Sequence, residues 1–458
     1  MKKLHRLQSI HCLGIGGIGV SAIARVLHTL GSRVTGTDVA SSVITRALTS
    51  EGMHINIGPS RASLLPPDAD LVIYSNAIPE TNAELKKARR LGIPVLSYPE
   101  FLGLFMRRYV PLIVSGTHGK STTTAMLASI FIAAGEDPTV IVGTHVPQLG
   151  ANAHVGLGKY CIVEGDEYKA AFHHYLPAGL IINNIEADHL DFYKTETRVV
   201  QAFNTLAKKV PAHGIIVALA TDPRVVRALR GVRAKVITFG SEVGDYYVAH
   251  QEQRGEVTYA QVRGLERFDL ELRVPGEHNL RNALAAAVLA LSFGISITHV
   301  KQGLLSFRGT WRRFEVKGTV HGRTIIDDYA HHPTEIRATL AAARVAFPGR
   351  RIWCIFQPHS THRTKSLFND FIHAFQNCDT LIVTDIYLVP GRETAERLAM
   401  PRMTAAISAV HPDVHYLKTF GHIVRCVVSS SARGDVIITM GAGTITEVSD
   451  MLMKKIHS

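Results

Sequence analysis

The 458-residue sequence is 46% hydrophobic and 19% charged, which excludes a largely disordered chain and, at ~150 residues per domain, suggests three domains. No run approaches the ~18 apolar residues of a membrane helix, the start lacks an apolar stretch with a cleavage site, and the five cysteines form no CxxC pair. We therefore expect a cytoplasmic protein without a membrane span or disulfide scaffold; its net charge of +12, carried by paired rather than massed basic residues, suits nucleotide phosphates and not nucleic acid.

Short β-branched runs alternate with longer amphipathic stretches, the pattern of parallel α/β layers. In the first, SIHCLGIGGIGVSAIARVLHTLG, Gly14, Gly16, Gly17 and Gly19 follow a strand directly, and Asp38 ends the next strand. Glycines there let the backbone approach a diphosphate at a helix N-terminus, and the acid can hold a ribose hydroxyl. Any ligand with a diphosphate and a ribose satisfies this motif, and so does a tight turn packed closely on its helix.

The second, VPLIVSGTHGKSTTTAMLASIFIAAG, starts near residue 110 and holds Gly116, Thr117, His118, Gly119, Lys120, Ser121 and Thr122. Backbone N–H groups and the helix dipole there face phosphate, Lys120 can neutralise the β/γ-phosphates and the Ser121 hydroxyl can sit on Mg²⁺. The loop departs from the full Walker pattern, because Gly116 lies only three residues before Gly119. The loop is read as an ATP site. Downstream, CIVEGDEYK ends a strand with Glu164, Asp166 and Glu167, and IINNIEADHLDFY ends another with Asp188 and His189. Parallel strands bring such ends to one edge of a sheet, where carboxylates can hold Mg²⁺. Histidine is an unusual ligand for that hard cation, so His189 is equally well a hydrogen-bonding loop residue.

The third, TIIDDYAHHPTEIRATLAAARVAF from Thr324, runs from a strand into a strong helix former. Read locally, its aspartate caps the following helix and Pro333 occupies the first turn. Domain boundaries are expected near residues 104 and 309, giving domains 1–104, 105–309 and 310–458.

These motifs together resemble the Mur ligase family, ATP-dependent amide-forming enzymes of peptidoglycan synthesis. GTHGKSTTT is similar to that family's phosphate loop; VEGDE, NNIEADH, PGEHNLRNALAA, WRRFE, DDYAHHPTEIRATL, FQPHSTHRT and GAGTI extend the likeness, in order, from Gly14 to Gly443. The resemblance implies three domains: a Rossmann-like N-terminal domain for a UDP-sugar, a central P-loop ATPase-type α/β domain, and a Rossmann-like C-terminal α/β domain that brings the amino acid. It implies that Gly14, Gly16, Gly17, Gly19, Asp38, Ser75 and Asn76 contact the UDP-sugar. It makes Glu164 and His189, with Ser121, the Mg²⁺ ligands. It adds His278, Asn279, Asn282, Arg313 and Asp328 to the ATP site, with Lys120, Glu164, His189 and Arg313 as the catalytic set. Tyr329, His331, His359 and Arg363 fall around the substrates.

Within the family, GIGGIG, DDYAHHPTEI and FQPH followed by RT resemble the branch that couples L-alanine to UDP-N-acetylmuramate. Departures are Gly165, Tyr168 and Lys169 where many of those enzymes have Ala, Ser and Asp, Ser360 where some members have an arginine, and Thr444 for Asp or Asn. Tyr168 is reminiscent of the branch that recycles a murein tripeptide onto the same UDP-sugar. An NAD-dependent oxidoreductase would explain the glycine turn and leave Lys120 and Ser121 without a role. A non-catalytic nucleotide-binding protein would not need Lys120, Glu164 and His189. Nothing in the sequence chooses between a monomer and a homodimer.

Overall fold

The computed structural model describes residues 8–254, 257–388 and 400–455. Its strands form three sheets, and each contains one of the three strand–loop–helix starts. The first sheet contains β1 (Ser9–Leu13), β2 (Arg33–Asp38), β3 (His54–Ile57), β4 (Leu71–Tyr74) and β5 (Val95–Ser97) in the order β3-β2-β1-β4-β5. All its pairings are parallel. The chain builds outward from β1 on one side and then crosses to β4 on the other. Ligands of such sheets lie beyond the carboxyl ends of the strands where the order reverses. Gly14, just after β1, and Ser75, just after β4, occupy that point.

β1 is buried along its whole length because helices cover both of its faces. Ile10 and Cys12 pack with Val20, Ile23, Ala24 and Leu27 of the helix Ile18–Thr29. Leu13, one pleat over, joins Val72, Leu85 and Ala88. His11 shares Leu13's face, and its Nε2 lies 2.8 Å from Glu84 Oε2 with both side chains fully buried. Thr35 Oγ1, 2.8 Å from Nδ1, gives the other ring nitrogen a partner, so the buried imidazole is satisfied on both sides.

The second sheet contains β6 (Val110–Ser115), β7 (Thr139–Val146), β8 (Ala151–His154), β9 (Tyr160–Gly165), β10 (Gly179–Ile182), β11 (Ile215–Leu219), β12 (Lys235–Gly240), β13 (Tyr246–Arg254), β14 (Val257–Gly264) and β15 (Phe268–Leu272). Their order is β15-β14-β13-β12-β11-β10-β6-β9-β7-β8. β6 lies between β10 and β9 and is parallel to both. The loops after these three strands therefore meet at one edge, which is what brings Gly116, Glu164 and Asn183 together.

The third sheet contains β16 (Glu315–Val320), β17 (Arg323–Asp328), β18 (Ile352–Phe356), β19 (Thr380–Val383), β20 (Val414–Tyr416) and β21 (Val436–Met440), in the order β16-β17-β21-β18-β19-β20. β16 and β17 pair antiparallel; the other pairs are parallel. Period-two alternation sorts its core. Ile326, Cys354, Phe356, Leu381 and Ile438 pack with Ile336 and Leu340 of the helix Pro333–Ala346. Ile325, Trp353, Ile355, Ile382 and Ile437 pack on the opposite face with Ile423, Val424 and Val427. At about 1.5–3 kcal/mol per buried large apolar side chain, a one-residue slip of any central strand would exchange two well-filled sets, so the register is firmly fixed.

Two compact units emerge: Met1–His250 with Gln261–Leu270 and Asn282–Phe307, and Gln251–Ala260 with Glu271–Arg281 and Arg308–Ser458. The first sheet and most of the second thus belong to one unit. Residue 104, where the sequence suggested a boundary, lies within the helix Tyr98–Met106, whose Phe101, Leu102 and Phe105 are buried. Among the described residues no helix is long and apolar enough to cross a membrane, and all five cysteines are free.

Candidate active site

At the first sheet's crevice, Gly14 adopts φ +69°, and its N–H and that of Ile15 donate to the Thr37 carbonyl at 2.9 and 3.2 Å. Gly16 donates to Asp38 Oδ2 at 2.8 Å. A Cβ on Gly19 would sit 2.7 Å from the Tyr98 ring, so this glycine serves close packing at the start of its helix. That helix begins at Gly17 without a side-chain cap, leaving its first N–H groups for another acceptor. A Cβ on Gly14 would lie 3.2 Å from Ser75 Cβ, which puts Ser75 and Asn76 alongside the turn.

The phosphate loop joins β6 to the helix Lys120–Ala133, with Gly116 at φ +143° and Gly119 at φ +79°. Neither tolerates a side chain: a Cβ would come within 3.0 Å of Asn183 at Gly116 and 2.5 Å of Asn282 Oδ1 at Gly119. The sequence placed the loop's backbone donors toward phosphate. In the structure Thr117 N donates to the Asn184 carbonyl at 3.1 Å and His118 N to Asn184 Oδ1 at 2.8 Å. Open donors are therefore those of the helix's first turn, at Lys120, Ser121 and Thr122.

Lys120 folds back onto the loop. Its Nζ donates to the carbonyls of Gly116 at 2.7 Å and Thr117 at 3.0 Å, and lies 2.9 Å from Glu167 Oε2. Burial disfavours the ammonium, but the carboxylates of Glu167, Asp166 and Glu164 outweigh it and hold its pKa above the usual lysine value. Burial in turn keeps the Glu167 carboxyl above its ordinary range, against the pull of Lys120 and His189. Ser121 Oγ donates to Glu164 Oε1 at 3.0 Å, and Glu164 Oε2 accepts from Gly143 N at 2.6 Å. A hydroxyl and a carboxylate side by side make a hard-oxygen donor set of the kind Mg²⁺ prefers. His189, at φ +53°, reaches this set through Glu167, its Nε2 lying 3.7 Å from Oε1.

Asn282, on the helix Glu277–Ser292, is buried against the phosphate loop, and Asn279 Nδ2 donates to the Pro275 carbonyl at 2.7 Å. His278 is held neutral, its pKa pushed down to about 4 by burial and by the nearby cations Arg281 and Arg313.

In the third sheet the two arginines of WRRF part ways. Arg312, at φ +56°, buries its guanidinium on Asp327 (2.8 Å) and on the Gly443 and Gly441 carbonyls. Arg313 keeps a part-exposed guanidinium, 3.5 Å from Glu335 Oε1 and over the Tyr329 ring. Asp328 accepts from Phe314 N and Ala330 N, each at 2.7 Å, and burial raises its pKa to about 6. The expectation that this aspartate caps the next helix is therefore corrected. Its oxygens are engaged ahead of the helix that starts at Pro333, and His332 is the cap, with Glu335 closing a capping box and Pro333 at the first turn as expected.

Beyond the carboxyl ends of β17, β18 and β19, four rings form a chain: Tyr329 to His331 at 5.4 Å, His331 to His359 at 5.7 Å, and His359 to Tyr387 at 5.6 Å. His331 Nδ1 lies 2.9 Å from the Tyr329 carbonyl, which can only accept, so the proton sits on Nδ1 and Nε2 is an acceptor. Burial foremost, then Arg363 and His359 against Glu335, push its pKa down to about 3. Arg363 Nη1 is 3.4 Å from His359 Nδ1.

The structure thus gathers the residues named from sequence into three clusters: the glycine turn, the phosphate loop with its acids, and the ring chain. Two residues escaped notice as site members. Glu167 looked like its neighbours in VEGDE, yet it is the one that holds Lys120. Tyr387 lies in a different strand connection from His359, and only the β18–β19 pairing brings them together.

Comparison with known proteins covers the same span. The description "Mur ligase family, catalytic domain" matches residues 9–110, "Mur ligase middle domain" 114–290, and "Mur ligase, glutamate ligase domain" 312–443. The UDP-N-acetylmuramate–L-alanine ligase of Clostridium novyi is 40% identical over 450 residues, covering 98% of this chain and 97% of the relative. That of Acetivibrio thermocellus is 39% identical over 457 residues, covering 98% and 96%. Among solved structures, the UDP-N-acetylmuramate–alanine ligase of Thermotoga maritima superposes with a TM-score of 0.85 at 29% identity, covering 98% and 99% of the two chains. A murein peptide ligase from Psychrobacter arcticus gives 0.74 at 25% identity, covering 98% of each. Matched in each of its three sheets and along nearly its whole length, the chain belongs to the Mur ligase family.

Proposed function

We propose that this protein uses ATP to join L-alanine to the lactyl carboxylate of UDP-N-acetylmuramate, releasing ADP and phosphate. The observation that carries the reading is the full-length similarity, at 40% identity, to ligases that bear that name. The resemblance to the family, together with the residue chemistry, implies acyl transfer. The lactyl carboxylate attacks the γ-phosphorus, giving an acyl phosphate and ADP; the alanine amine then attacks the acyl carbon, and phosphate leaves.

The division of labour assigns the UDP-sugar to domain 1–104, ATP to 105–309 and the amino acid to 310–458. Lys120 exchanges Glu167 and the loop carbonyls for the β/γ-phosphates, so its charge is in place before the phosphate arrives. Arg313 and the first-turn N–H groups take part of the same developing charge. Ser121, Glu164 and His189 are the residues that would hold Mg²⁺, which when bound neutralises phosphate charge. The protein contributes positioning and electrostatics rather than a covalent intermediate of its own.

For the amino acid, Arg363 is assigned to the carboxylate. His331, kept neutral, offers Nε2 to the amine without repelling it. A single methyl in a pocket discriminates by only ~1–3 kcal/mol, so glycine and L-serine are expected to react, more weakly. Arg363→Ala is the test. It should raise the KM for L-alanine by about tenfold or more, the worth of a charge-assisted hydrogen bond, and leave the KM for ATP within about twofold. Equal changes in both constants would remove Arg363 from the amino-acid site.

A further inference from the structure

The turn from Asp166 to Phe172 connects β9 to the rest of its unit and carries Glu167, the partner of Lys120. It is tightly wound: Tyr168 N donates to Asp166 Oδ1 at 3.0 Å, Ala170 N to the Glu167 carbonyl at 2.9 Å and Phe172 N to the Asp166 carbonyl at 3.0 Å. Two consecutive non-glycine residues adopt the left-handed region, Lys169 at φ +52° and Ala170 at φ +57°. Such a conformation costs of order 1 kcal/mol or more per residue and persists only where the surroundings impose it. Here Ala171 and Phe172 are buried, and the Tyr193 hydroxyl donates to the Glu167 carbonyl, anchoring both ends.

The consequence is where Lys169 goes. Although it belongs to the second sheet's connections, its Nζ donates to the Asn76 carbonyl, beyond the end of β4, at 3.1 Å. Asn76 follows Ser75, which packs against Gly14. A full positive charge is thus delivered to the rim of the glycine turn from outside the first sheet. The turn has use for one. Its Gly14 and Ile15 N–H groups serve the Thr37 carbonyl and Gly16 serves Asp38, which leaves chiefly a helix N-terminus, equivalent to roughly half a charge, to face an anion. One carbonyl occupies one of the ammonium's three donors and neutralises none of its charge.

We propose that Lys169 is a binding and positioning residue for the anionic groups of the sugar nucleotide, reaching them from its place on the Asn76 carbonyl. This rests on the assignment of the UDP-sugar to the first domain.

Calorimetric titration with UDP-N-acetylmuramate, UDP and a non-hydrolysable ATP analogue tests it, using the wild type, Lys169→Gly and Lys169→Arg. Glycine accepts φ +52° without strain, so Lys169→Gly removes the cation while relaxing the turn. We expect Lys169→Gly to weaken UDP-N-acetylmuramate binding about tenfold, as for a hydrogen bond to a charged group, and Lys169→Arg to keep it within about threefold. Affinity for the ATP analogue should stay within about twofold, whereas a purely structural role would disturb Glu167 in the same turn, and through it Lys120, and move both ligands. An equal loss with UDP assigns the contact to the diphosphate; a loss only with UDP-N-acetylmuramate assigns it to the lactyl carboxylate. Unchanged UDP-N-acetylmuramate binding by Lys169→Gly, or parallel loss of the ATP analogue, overturns the proposal. A wild type that binds the ATP analogue but neither uridine ligand sinks the substrate assignment instead.

Discussion

Lys120→Ala should lower kcat by about 10³-fold or more while UDP-N-acetylmuramate binding stays within about twofold, the loss expected when a charged donor to a transferring phosphoryl group is removed. Among the described residues its ammonium is bonded to the phosphate loop and Glu167, so its effect belongs to the second sheet. Removing one member of a buried pair commonly costs about 3–5 kcal/mol, because the other charge is left in a poor solvent. Glu167 has a way out: burial already holds its carboxyl pKa high, so it can take up a proton when the lysine is gone. Lys120→Ala with Glu167→Gln removes even that complication and should be as inactive as the single variant. Calorimetry with the sugar nucleotide reports whether the first sheet is intact. If both ligation and sugar-nucleotide binding disappear in a folded Lys120→Ala protein, the separation of the two sites is wrong.

The second large effect concerns the cation. Glu164→Gln keeps the shape of the side chain, and its amide can still accept from Gly143 N through oxygen while presenting NH₂ to the Ser121 hydroxyl. The fold is preserved and a hard anionic donor is lost. The Mg²⁺ concentration for half-maximal activity should rise by about 10–100-fold, the range seen when metal sites lose supporting groups. His189→Gly makes the companion test, since glycine tolerates the φ of +53° that alanine would strain. A Mg²⁺ titration unchanged in His189→Gly would return that histidine to the part of a loop residue leaning on Glu167.

What could be read from sequence was whatever local spacing dictates. The glycine turn and the phosphate loop announce themselves because a strand, a glycine with positive φ and a helix N-terminus must be adjacent in the chain to make an anion site. Choices between like residues were not legible. Glu164 lies in β9 and Glu167 just beyond its end, and only the folded chain shows that it is Glu167 whose carboxylate meets Lys120. Arg312 and Arg313 are neighbours, and only the packing of β17 against β21 buries the first. Asp328 looked like a cap, a role its local sequence allows, until the backbone of Phe314 arrived from β16's approach to claim one of its oxygens. Lys169 carried no signal at all except its departure from the family's aspartate.

The reaction at issue makes an amide from a UDP-linked carboxylic acid and a single small amino acid. ADP release, with the uridine product analysed by mass, measures it directly with UDP-N-acetylmuramate and, in turn, L-alanine, glycine, L-serine and murein tripeptide. We expect an alanyl product with stoichiometric ADP, weaker turnover with glycine and L-serine because one methyl is worth only ~1–3 kcal/mol, and little with tripeptide. Robust tripeptide ligation with no alanine product would contradict this expectation and assign the chain to the recycling reaction.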